Sequence, residues 1–317
     1  MRKDLQALFD ERFQGARKFE DFLACQLKDH IKRNSKDTVK SYMADDELRA
    51  FQLFLVSVVV DYLPIDDEVV FSYRKGGSVV EAVRKHASSK FFFKTDLKQF
   101  FSSIDYKLVE LTIREGAGLL PFENVELYLT HIVQLITYHG CLPPGFATSP
   151  GVSNACLYKL DRYLQHEAKK LNLVYTRYSD DIILSGNNPD AVRVAPWILE
   201  SLLNELYAAR FTLNSGKNKF LRKGAKVRLL GLVILPNGHV TLDRRVKDKV
   251  ETLLYFYATD GLRFLNMVGN DLEKGRLRLS GYLSYIRSVD PVYYERLRHK
   301  YGNLVVDSTA ALLTSNF

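Results

Sequence analysis

The sequence has few of the features that mark secreted or membrane-spanning proteins. Its three cysteines, Cys25, Cys141 and Cys156, form neither a C-x-x-C pair nor an even framework, which argues against a disulfide scaffold and indicates reduced thiols. The longest apolar run, near residues 53–60, ends at Asp61 and is shorter than the roughly 20 residues that a bilayer requires. The first residues mix charges of both signs and lack the apolar stretch of a signal peptide, so we expect a cytoplasmic protein.

Several catalytic signatures are missing too. None of the seven histidines lies in an H-E-x-x-H or similar metal-binding spacing, and the absence of a G-x-x-x-x-G-K-[ST] loop argues against a P-loop nucleoside triphosphatase. There is no internal repeat and no Pro/Gly/Ser-rich linker. The chain does carry a net charge of +8. A basic balance favours a polyanionic partner such as nucleic acid, and a merely solvated basic surface is an equal alternative.

Apolar periodicity predicts helices, then mixed strands and helices, then helices again. We expect helices over residues 1–60, after Ser102 or Ser103 as N-cap, from Ser149 through Leu164, from Asp190 to Ala209, and from Asp243 onward. We expect strands at residues 91–96, 173–178, 182–185, 227–235 and 239–242. This order predicts an α+β fold whose antiparallel sheet is backed by helices. Trp197 should pack in the core.

Two adjacent carboxylates, Asp180 and Asp181, lie on the turn between the strands at 173–178 and 182–185. Two like charges on a tight turn repel each other, and a bound divalent cation would offset that repulsion. Asp-Asp is also a common turn dipeptide, so the pair alone is weak evidence. Asp96 ends another apolar strand, and neighbouring strands of one antiparallel sheet could bring it beside Asp180. Three carboxylates would then surround a site for hard cations, which prefer oxygen ligands.

Such a site suits phosphoryl transfer. Two Mg²⁺ ions roughly 3.5–4 Å apart can activate a primer 3′-hydroxyl and stabilise a pyrophosphate leaving group. Neither ion needs a histidine or cysteine ligand, and Mn²⁺ could take the place of Mg²⁺. The residues alone therefore favour a metal-dependent nucleotidyltransferase.

Six segments within residues 70–300 resemble the conserved blocks of reverse transcriptases, in the family's order. They are KTDLKQFFSSI (94–104), LPPGFATSP (142–150) followed by Asn154, YTRYSDD (175–181), LNSGK (213–217), LLGLV (229–233) and SGYLSYIRSVD (280–290). The second and third are similar to the retron blocks L-P-Q-G-x-x-T-S-P-x-x-x-N and Y-T-R-Y-A-D-D. The resemblance is thus to bacterial reverse transcriptases of the retron type, or to closely related defence-associated enzymes.

The resemblance implies a right-hand polymerase with fingers, palm and helical thumb. The N-terminal helical region and fingers would span residues 1–90. The palm, an antiparallel sheet backed by helices, would span residues 91–242, with part of the fingers at 107–145. The thumb would span residues 243–317.

The same resemblance implies roles for the residues around the carboxylates. Asp96, Asp180 and Asp181 would be catalytic and bind the metal, together with the backbone carbonyl of Leu97. Phe101 would be the bulky residue that shuts out a ribose 2′-hydroxyl.

Further roles concern the nucleotide, primer and template. Pro144, Gly145 and Lys217 would contact the incoming nucleotide, with Lys217 near its triphosphate. Tyr178 would touch the primer, and Leu230-Gly231 would grip the primer end. Basic residues at the start of the thumb would hold the duplex by its phosphates; they are Arg244, Arg245, Lys247 and Lys249.

The sequence departs from the family at three places. Pro144 stands where the family usually has glutamine, and we expect this change to affect fidelity or template use. Leu229-Leu230-Gly231 replaces the retron V-T-G block. The fingers segment that carries cationic nucleotide contacts is not recognisable; Arg74 is a candidate substitute, and a solvated turn is an equal alternative for it.

We therefore expect an RNA-directed DNA polymerase that copies a structured noncoding RNA into single-stranded DNA. Its partners would be that RNA as template and primer, the DNA product, dNTPs and a separate effector protein in a retron antiphage defence system. One alternative is a non-retron defence enzyme with protein-primed or weakly templated synthesis. Another is a catalytically inactive RNA-binding scaffold.

Overall fold

The structure, a computed structural model, describes residues 2–33, 41–224 and 226–311. The chain forms two compact units. The first comprises Met1–Ser78 and Lys90–Phe220, and the second comprises Val79–Ser89 and Leu221–Phe317. The polypeptide therefore contributes to the second unit twice, first through a short early segment and then through its C-terminal third.

The helices, labelled in chain order, are α1 Leu5–Phe13, α2 Phe19–Ala24, α3 Leu27–His30, α4 Asp46–Val58, α5 Val79–Lys85, α6 Phe100–Ser103, α7 Tyr106–Gly116, α8 Val125–Ile136, α9 Ser149–Cys156, α10 Tyr158–Lys170, α11 Pro189–Tyr207, α12 Arg244–Thr259, α13 Gly261–Met267, α14 Leu272–Val289, α15 Pro291–Tyr301 and α16 Asn303–Ala311. In the part of the chain that is described, none of these helices has the length and apolar character needed to cross a membrane.

The strands are β1 Ile31–Arg33, β2 Tyr42–Ala44, β3 Phe91–Asp96, β4 Val174–Tyr178, β5 Asp181–Gly186, β6 Lys219–Arg222, β7 Val227–Leu229, β8 Leu232–Ile234 and β9 Val240–Leu242. They form a β1-β2 hairpin, a sheet of order β4-β5-β3-β6 and a sheet of order β7-β8-β9. Helices packed on antiparallel sheets confirm the α+β class.

The β4-β5-β3 part of the larger sheet is antiparallel and apolar. Aromatic and β-branched residues dominate β3, and β5 carries an Ile-Ile-Leu run, as expected for buried strands. β3 pairs with β5 from Phe91 opposite Gly186 to Asp96 opposite Asp181, and β4 pairs with β5 up to Tyr178 opposite Asp181. Helix α11 packs against β3 and β5, and α10 packs against β4. The sheet thus places the ends of all three strands at one edge.

The second unit is built around the β7-β8-β9 sheet and helices α12–α16. Helix α5 packs on β8 and β9, although more than a hundred residues separate them in the chain. The Arg84 guanidinium at its end donates to the carbonyls of Ser288 (3.4 Å) and Val289 (3.3 Å), where α14 ends. This capping ties the early segment to the C-terminal helices.

We had expected helices throughout residues 1–60, and this prediction was wrong. The β1-β2 hairpin interrupts the helices, with residues 34–40 outside the described part. The Tyr42 N–H at the start of β2 donates to the Pro144 carbonyl at 2.9 Å. A partner about a hundred residues away holds this short strand, and no local periodicity reveals such a partner.

The helix expected from Ser149 through Leu164 is two helices, α9 and α10, that meet at Leu157. In a continuous helix the Leu160 N–H would donate to the Cys156 carbonyl, and the hydroxyl of Tyr207 lies between these two groups. It donates to the Cys156 carbonyl at 3.0 Å and accepts from the Leu160 N–H at 3.4 Å. A side chain inserted between an i and i+4 pair is a recognised cause of a helix break.

Two further element boundaries were wrong. The helix after Ser103 is capped by Asp105, whose carboxylate accepts from the Leu108 N–H at 2.9 Å, and a separate short helix, α6, precedes it. The strand expected over residues 227–235 is a β7-β8 hairpin. Leu230 and Gly231 turn it, with φ of 49° and 80°. Two consecutive residues with positive φ make a tight hairpin turn, which apolar content alone does not reveal.

Trp197 does not pack in the core. It lies on α11, and its side chain is 70% exposed. Apart from Tyr207, the buried residues of α11 are small or aliphatic, among them Ala195, Leu199 and Leu203. The prediction failed because it used the average burial of tryptophan rather than the helix phase of this position.

Candidate active site

Three carboxylates meet at the edge of the sheet where β3 and β4 end and β5 begins. Asp96, the last residue of β3, lies opposite Asp181, the first residue of β5. The Leu97 N–H donates to the Asp180 carbonyl at 3.1 Å, which ties the end of β3 to the turn before β5. The sheet therefore brings together the three aspartates that the sequence singled out, with Asp181 rather than Asp180 as the register partner of Asp96.

The turn between β4 and β5 consists of Ser179 and Asp180. Tyr178 and Asp181 form the last residue pair of the two strands before this turn. Ser179 has φ of 59°, a left-handed conformation that residues other than glycine rarely adopt. Tyr178 is half-buried beside the turn. The turn is short and strained, so its geometry must be fixed by its surroundings.

The charges at this edge are only partly balanced. Asp96 is 4% exposed, and its Oδ2 forms an ion pair with the Lys217 ammonium. Its other oxygen, Oδ1, is buried without a hydrogen-bond partner among the described residues. A buried carboxylate oxygen with no donor is costly, and it is the kind of atom that a cation would satisfy.

Asp181 shows the same excess of negative charge. Desolvation, together with the charges of Asp180 and Asp96, raises its pKa to about 6, although its side chain remains accessible to solvent. Lys217 and Lys94 oppose this rise only in part. The site therefore favours an added positive charge.

Two lysines border the carboxylates. Hydrogen bonding to Asp96 and its charge raise the pKa of Lys217, which is exposed. Lys94 lies two residues before Asp96 on β3, and burial and the charge of Lys219 lower its pKa. Lys217 was expected near the triphosphate; its contact with Asp96 and the proximity of Lys94 to Asp181 were not expected. The Lys-Thr-Asp order within β3 was the available signal, because alternate residues of a strand share a face.

The donor set fits a hard divalent cation. Its ligands would be the carboxylate oxygens of Asp96, Asp180 and Asp181, with no nitrogen or sulfur required. Within residues 2–33, 41–224 and 226–311, no group of three acidic, histidine or cysteine side chains already stands at metal-ligand spacing. Mutual repulsion and the pull of Lys217 on Asp96 give a physical reason for this.

Phe101 lies in α6, five residues after Asp96. It is half-buried, and its ring is 5.2 Å from that of Phe100. Phe100 is 5% exposed and belongs to the core. Of the two rings, Phe101 is the more accessible to a ligand.

The segment with Pro144 and Gly145 supports the β1-β2 hairpin. Gly145 has φ of 103°, and a Cβ there would overlap the Tyr42 carbonyl oxygen. Only glycine permits this close backbone approach. The hairpin carries Lys32 and Arg33, both exposed, and sequence reasoning missed it because three-residue strands contain too little pattern. These side chains offer cations in the region where the expected fingers segment was not recognisable.

Arg74 binds its own loop. Its guanidinium donates to the carbonyls of Val70, Asp67 (3.0 Å) and Lys75 (3.3 Å). It also lies over the Phe71 ring, 5.3 Å from the centroid. These contacts stabilise the loop conformation and leave the nucleotide-binding role of Arg74 a prediction.

The remaining expected contacts lie in the second unit. Leu230 and Gly231 form the β7-β8 turn. In α12, Arg244, Arg245 and Lys249 are exposed. Lys247 is different: its ammonium lies 3.0 Å from the Asp290 carboxylate and 4.0 Å from the Tyr293 ring centroid. Lys249 lies over the Tyr282 ring, 5.5 Å from its centroid, and Arg244 pairs with Asp248 at 3.6 Å. Lys247 is the one of the four that is not exposed.

Comparison with known proteins gives the class. The family model described as reverse transcriptase (RNA-dependent DNA polymerase) matches residues 31–234. Because this match spans more than half of the chain, the protein belongs to the reverse transcriptase family and is an RNA-directed DNA polymerase.

Its curated relatives include retron enzymes. It is 29% identical to the retron Ec73 reverse transcriptase of Escherichia coli over 82% of this chain and 82% of that one. It is 27% identical to the retron Mx65 reverse transcriptase of Myxococcus xanthus over 80% of this chain, but spans only 58% of that relative. Among solved structures, telomerase from Candida albicans aligns with a TM-score of 0.46 at 12% identity, over 86% of this chain and 56% of that one.

Proposed function

We propose that this protein is a retron reverse transcriptase that copies a structured noncoding RNA into single-stranded DNA. The observation that carries the proposal is the register of β3 and β5, in which Asp96 lies opposite Asp181 beside the Asp180 turn. That observation supports the polymerase reaction, and the similarity to retron enzymes supports the assignment to a retron. In that system the partners would be the RNA, its DNA product, dNTPs and a separate effector protein in cytoplasmic antiphage defence.

Asp96, Asp180 and Asp181 would hold two Mg²⁺ ions, with Mn²⁺ as a substitute, and the Leu97 carbonyl would add a ligand. When bound, the ions supply Lewis-acid activation of the primer 3′-hydroxyl and charge stabilisation of the leaving pyrophosphate. The unpartnered Oδ1 of Asp96 and the raised pKa of Asp181 support this assignment.

The chain's own residues would orient the substrates. Lys217 now pairs with Asp96 and is exposed, so its ammonium could turn to the triphosphate oxygens once a cation satisfies that carboxylate. Phe101 would exclude the ribose 2′-hydroxyl by contact. Pro144 and Gly145 would support the nucleotide by holding the β1-β2 hairpin, and Tyr178 would touch the primer.

The second unit would hold the nucleic acid. The Leu230-Gly231 turn would contact the primer end, and α12 would bind duplex phosphates through its exposed arginines and lysine. Contacts of this kind position a duplex by shape and charge and carry little sequence information.

The test is to express the protein with its native flanking DNA, purify it and sequence the copurifying RNA and DNA. We expect one structured RNA and a single-stranded DNA complementary to part of it. The purified protein should also extend a primed RNA template with dNTPs and Mg²⁺, and an Asp180→Asn variant should not. Copurifying DNA with no complementary RNA would favour untemplated or protein-primed synthesis, and an inactive wild type would contradict the polymerase assignment.

A further inference from the structure

Arg177 is buried in the middle of β4, with none of its side chain exposed. Its Nε and Nη2 donate to the two Asp161 oxygens at 2.8 and 2.6 Å. Its Nη1 donates to the Asn154 side-chain oxygen and to the Ser179 carbonyl, each at 3.1 Å. Nη2 also reaches the Asn154 carbonyl at 3.5 Å. A guanidinium has five N–H donors, and here all five have an acceptor, so the group is fixed in one orientation.

One of those bonds reaches the peptide unit that leads into Asp180. The Ser179 carbonyl belongs to the Ser179–Asp180 peptide and accepts a hydrogen bond from the Arg177 guanidinium. The Ser179 N–H donates to the Ser72 hydroxyl at 2.7 Å, and the Ser179 hydroxyl lies 3.2 Å from that of Tyr73. All three polar groups of this left-handed residue are therefore held by side chains.

The bonds close into a ring. The Asn154 side-chain nitrogen donates to the Ser72 carbonyl at 2.8 Å. The path thus runs from Arg177 to Asn154, to Ser72, to Ser179 and back to Arg177. Asp161 anchors the ring from α10 and also accepts from the Tyr175 hydroxyl at 2.7 Å. Because each member is held by two others, none can turn without breaking a buried hydrogen bond.

We propose that this ring, formed by Arg177, Asn154, Ser72 and Ser179, fixes the position of the Asp180–Asp181 turn, and that Arg177 is a positioning residue for polymerisation. The proposal rests on the proposed function of those aspartates. A positive φ at serine is strained and persists only where the surroundings over-determine it. The ring constrains Ser179 through hydrogen bonds from three separate segments of the chain, namely the loop before α5, helix α9 and strand β4.

Lysine could not replace the arginine. Its ammonium keeps the charge for Asp161 but has three donors on a flexible stem instead of a planar fork of five. Arg177→Lys would preserve the ion pair and lose the bonds to Asn154 and Ser179. A charge-only role and a positioning role therefore predict different outcomes for this one variant.

The experiment compares Arg177→Lys and Ser72→Ala in the full-length protein. Ser72→Ala removes only the hydroxyl that accepts from Ser179, so it tests the ring if the arginine variant is poorly folded. Thr112→Val is the matched control, since it removes a buried hydroxyl that bonds Leu108 and Cys156 instead. Three quantities are measured: amide hydrogen exchange of the peptide covering 178–182, Mn²⁺ affinity by electron paramagnetic resonance, and kcat and KM for dNTP on a primed RNA.

We expect both variants to exchange faster at residues 178–182, to bind Mn²⁺ more weakly and to lose kcat by roughly 10- to 100-fold, because a displacement of about 1 Å can cost that much. KM for dNTP should change much less, and Thr112→Val should match wild type. Control-like exchange and kcat in both variants would overturn the ring's role. If the wild-type protein makes no DNA, the proposed function is wrong. Amide exchange and Mn²⁺ binding would still show whether the ring fixes the Asp180–Asp181 turn.

Discussion

Variants of the buried ion pair between Arg177 and Asp161 can show whether Arg177 supports polymerisation through protein stability or through its bond to the Ser179 carbonyl. Arg177→Met leaves the Asp161 carboxylate buried, with the Tyr175 hydroxyl as its remaining side-chain donor among the described residues. Removing one partner of a buried pair costs about 3–5 kcal/mol, because the other charge is left uncompensated. For a folding unit of about 150–250 residues, 1 kcal/mol corresponds to about 2–4 °C in Tm, so we expect Tm to fall by roughly 6–20 °C.

The double variant Arg177→Met with Asp161→Leu should recover more than half of that loss. Replacing both partners of a buried ion pair by apolar residues of similar size is often neutral, since neither charge then has to be desolvated. The Ser179 carbonyl would still lack its donor. We therefore expect the double variant to remain nearly as defective in polymerisation as Arg177→Met.

The assay is thermal unfolding by circular dichroism beside primer extension at a temperature where every variant is folded. Arg193→Met is the control, because Arg193 and Asp190 form an exposed pair at 3.2 Å on α11. An exposed pair contributes about 0–1 kcal/mol, so Tm should hardly move. Recovery of activity in parallel with Tm would refute the reasoning, because Arg177 would then act through stability alone.

Three more outcomes follow from the site. Asp180→Asn should abolish DNA synthesis without lowering Tm, because it removes a like charge beside Asp181; wild-type-like extension would contradict the catalytic assignment. Phe101→Ala should let ribonucleotides be incorporated, measured as the dNTP-to-rNTP ratio of kcat/KM, and unchanged discrimination would move the gate to Phe100. Reversing the charges of the basic residues of α12 should weaken RNA binding and flatten its dependence on salt, measured at two salt concentrations, whereas an unchanged slope would mean that the duplex lies elsewhere; the residues are Arg244, Arg245, Lys247 and Lys249.

The central sheet could be predicted because its signals are local. The apolar runs of β3, β4 and β5 each end at a polar turn or an aspartate, and the structure places these strands within a residue or two of the expected limits. From the strands alone, Asp96 and the Asp180–Asp181 pair could be expected at one edge. The hairpin turn at Leu230-Gly231 was visible only through the family resemblance, since apolar residues on both sides read as one continuous strand.

What the sequence could not show depends on partners far along the chain. The break between α9 and α10 needs the Tyr207 hydroxyl, and the ring around Ser179 needs Ser72 and Asn154. Arg177 itself was visible as part of a motif, but its five acceptors come from three elements. Helix periodicity and residue averages contain no information on such contacts.

Pro144 illustrates how a departure from a family pattern can be compatible with the local structure. The Tyr42 N–H bonds the backbone carbonyl of Pro144, and proline retains that carbonyl. The close approach at Tyr42 is made possible by Gly145. Anchoring of the β1-β2 hairpin therefore does not need the side chain at position 144. What proline removes is an amide side chain able to donate and accept hydrogen bonds, so its effect should be on nucleotide or template contacts and not on the hairpin. We therefore expect any effect of Pro144 to appear in fidelity or template use and not in the anchoring of the hairpin.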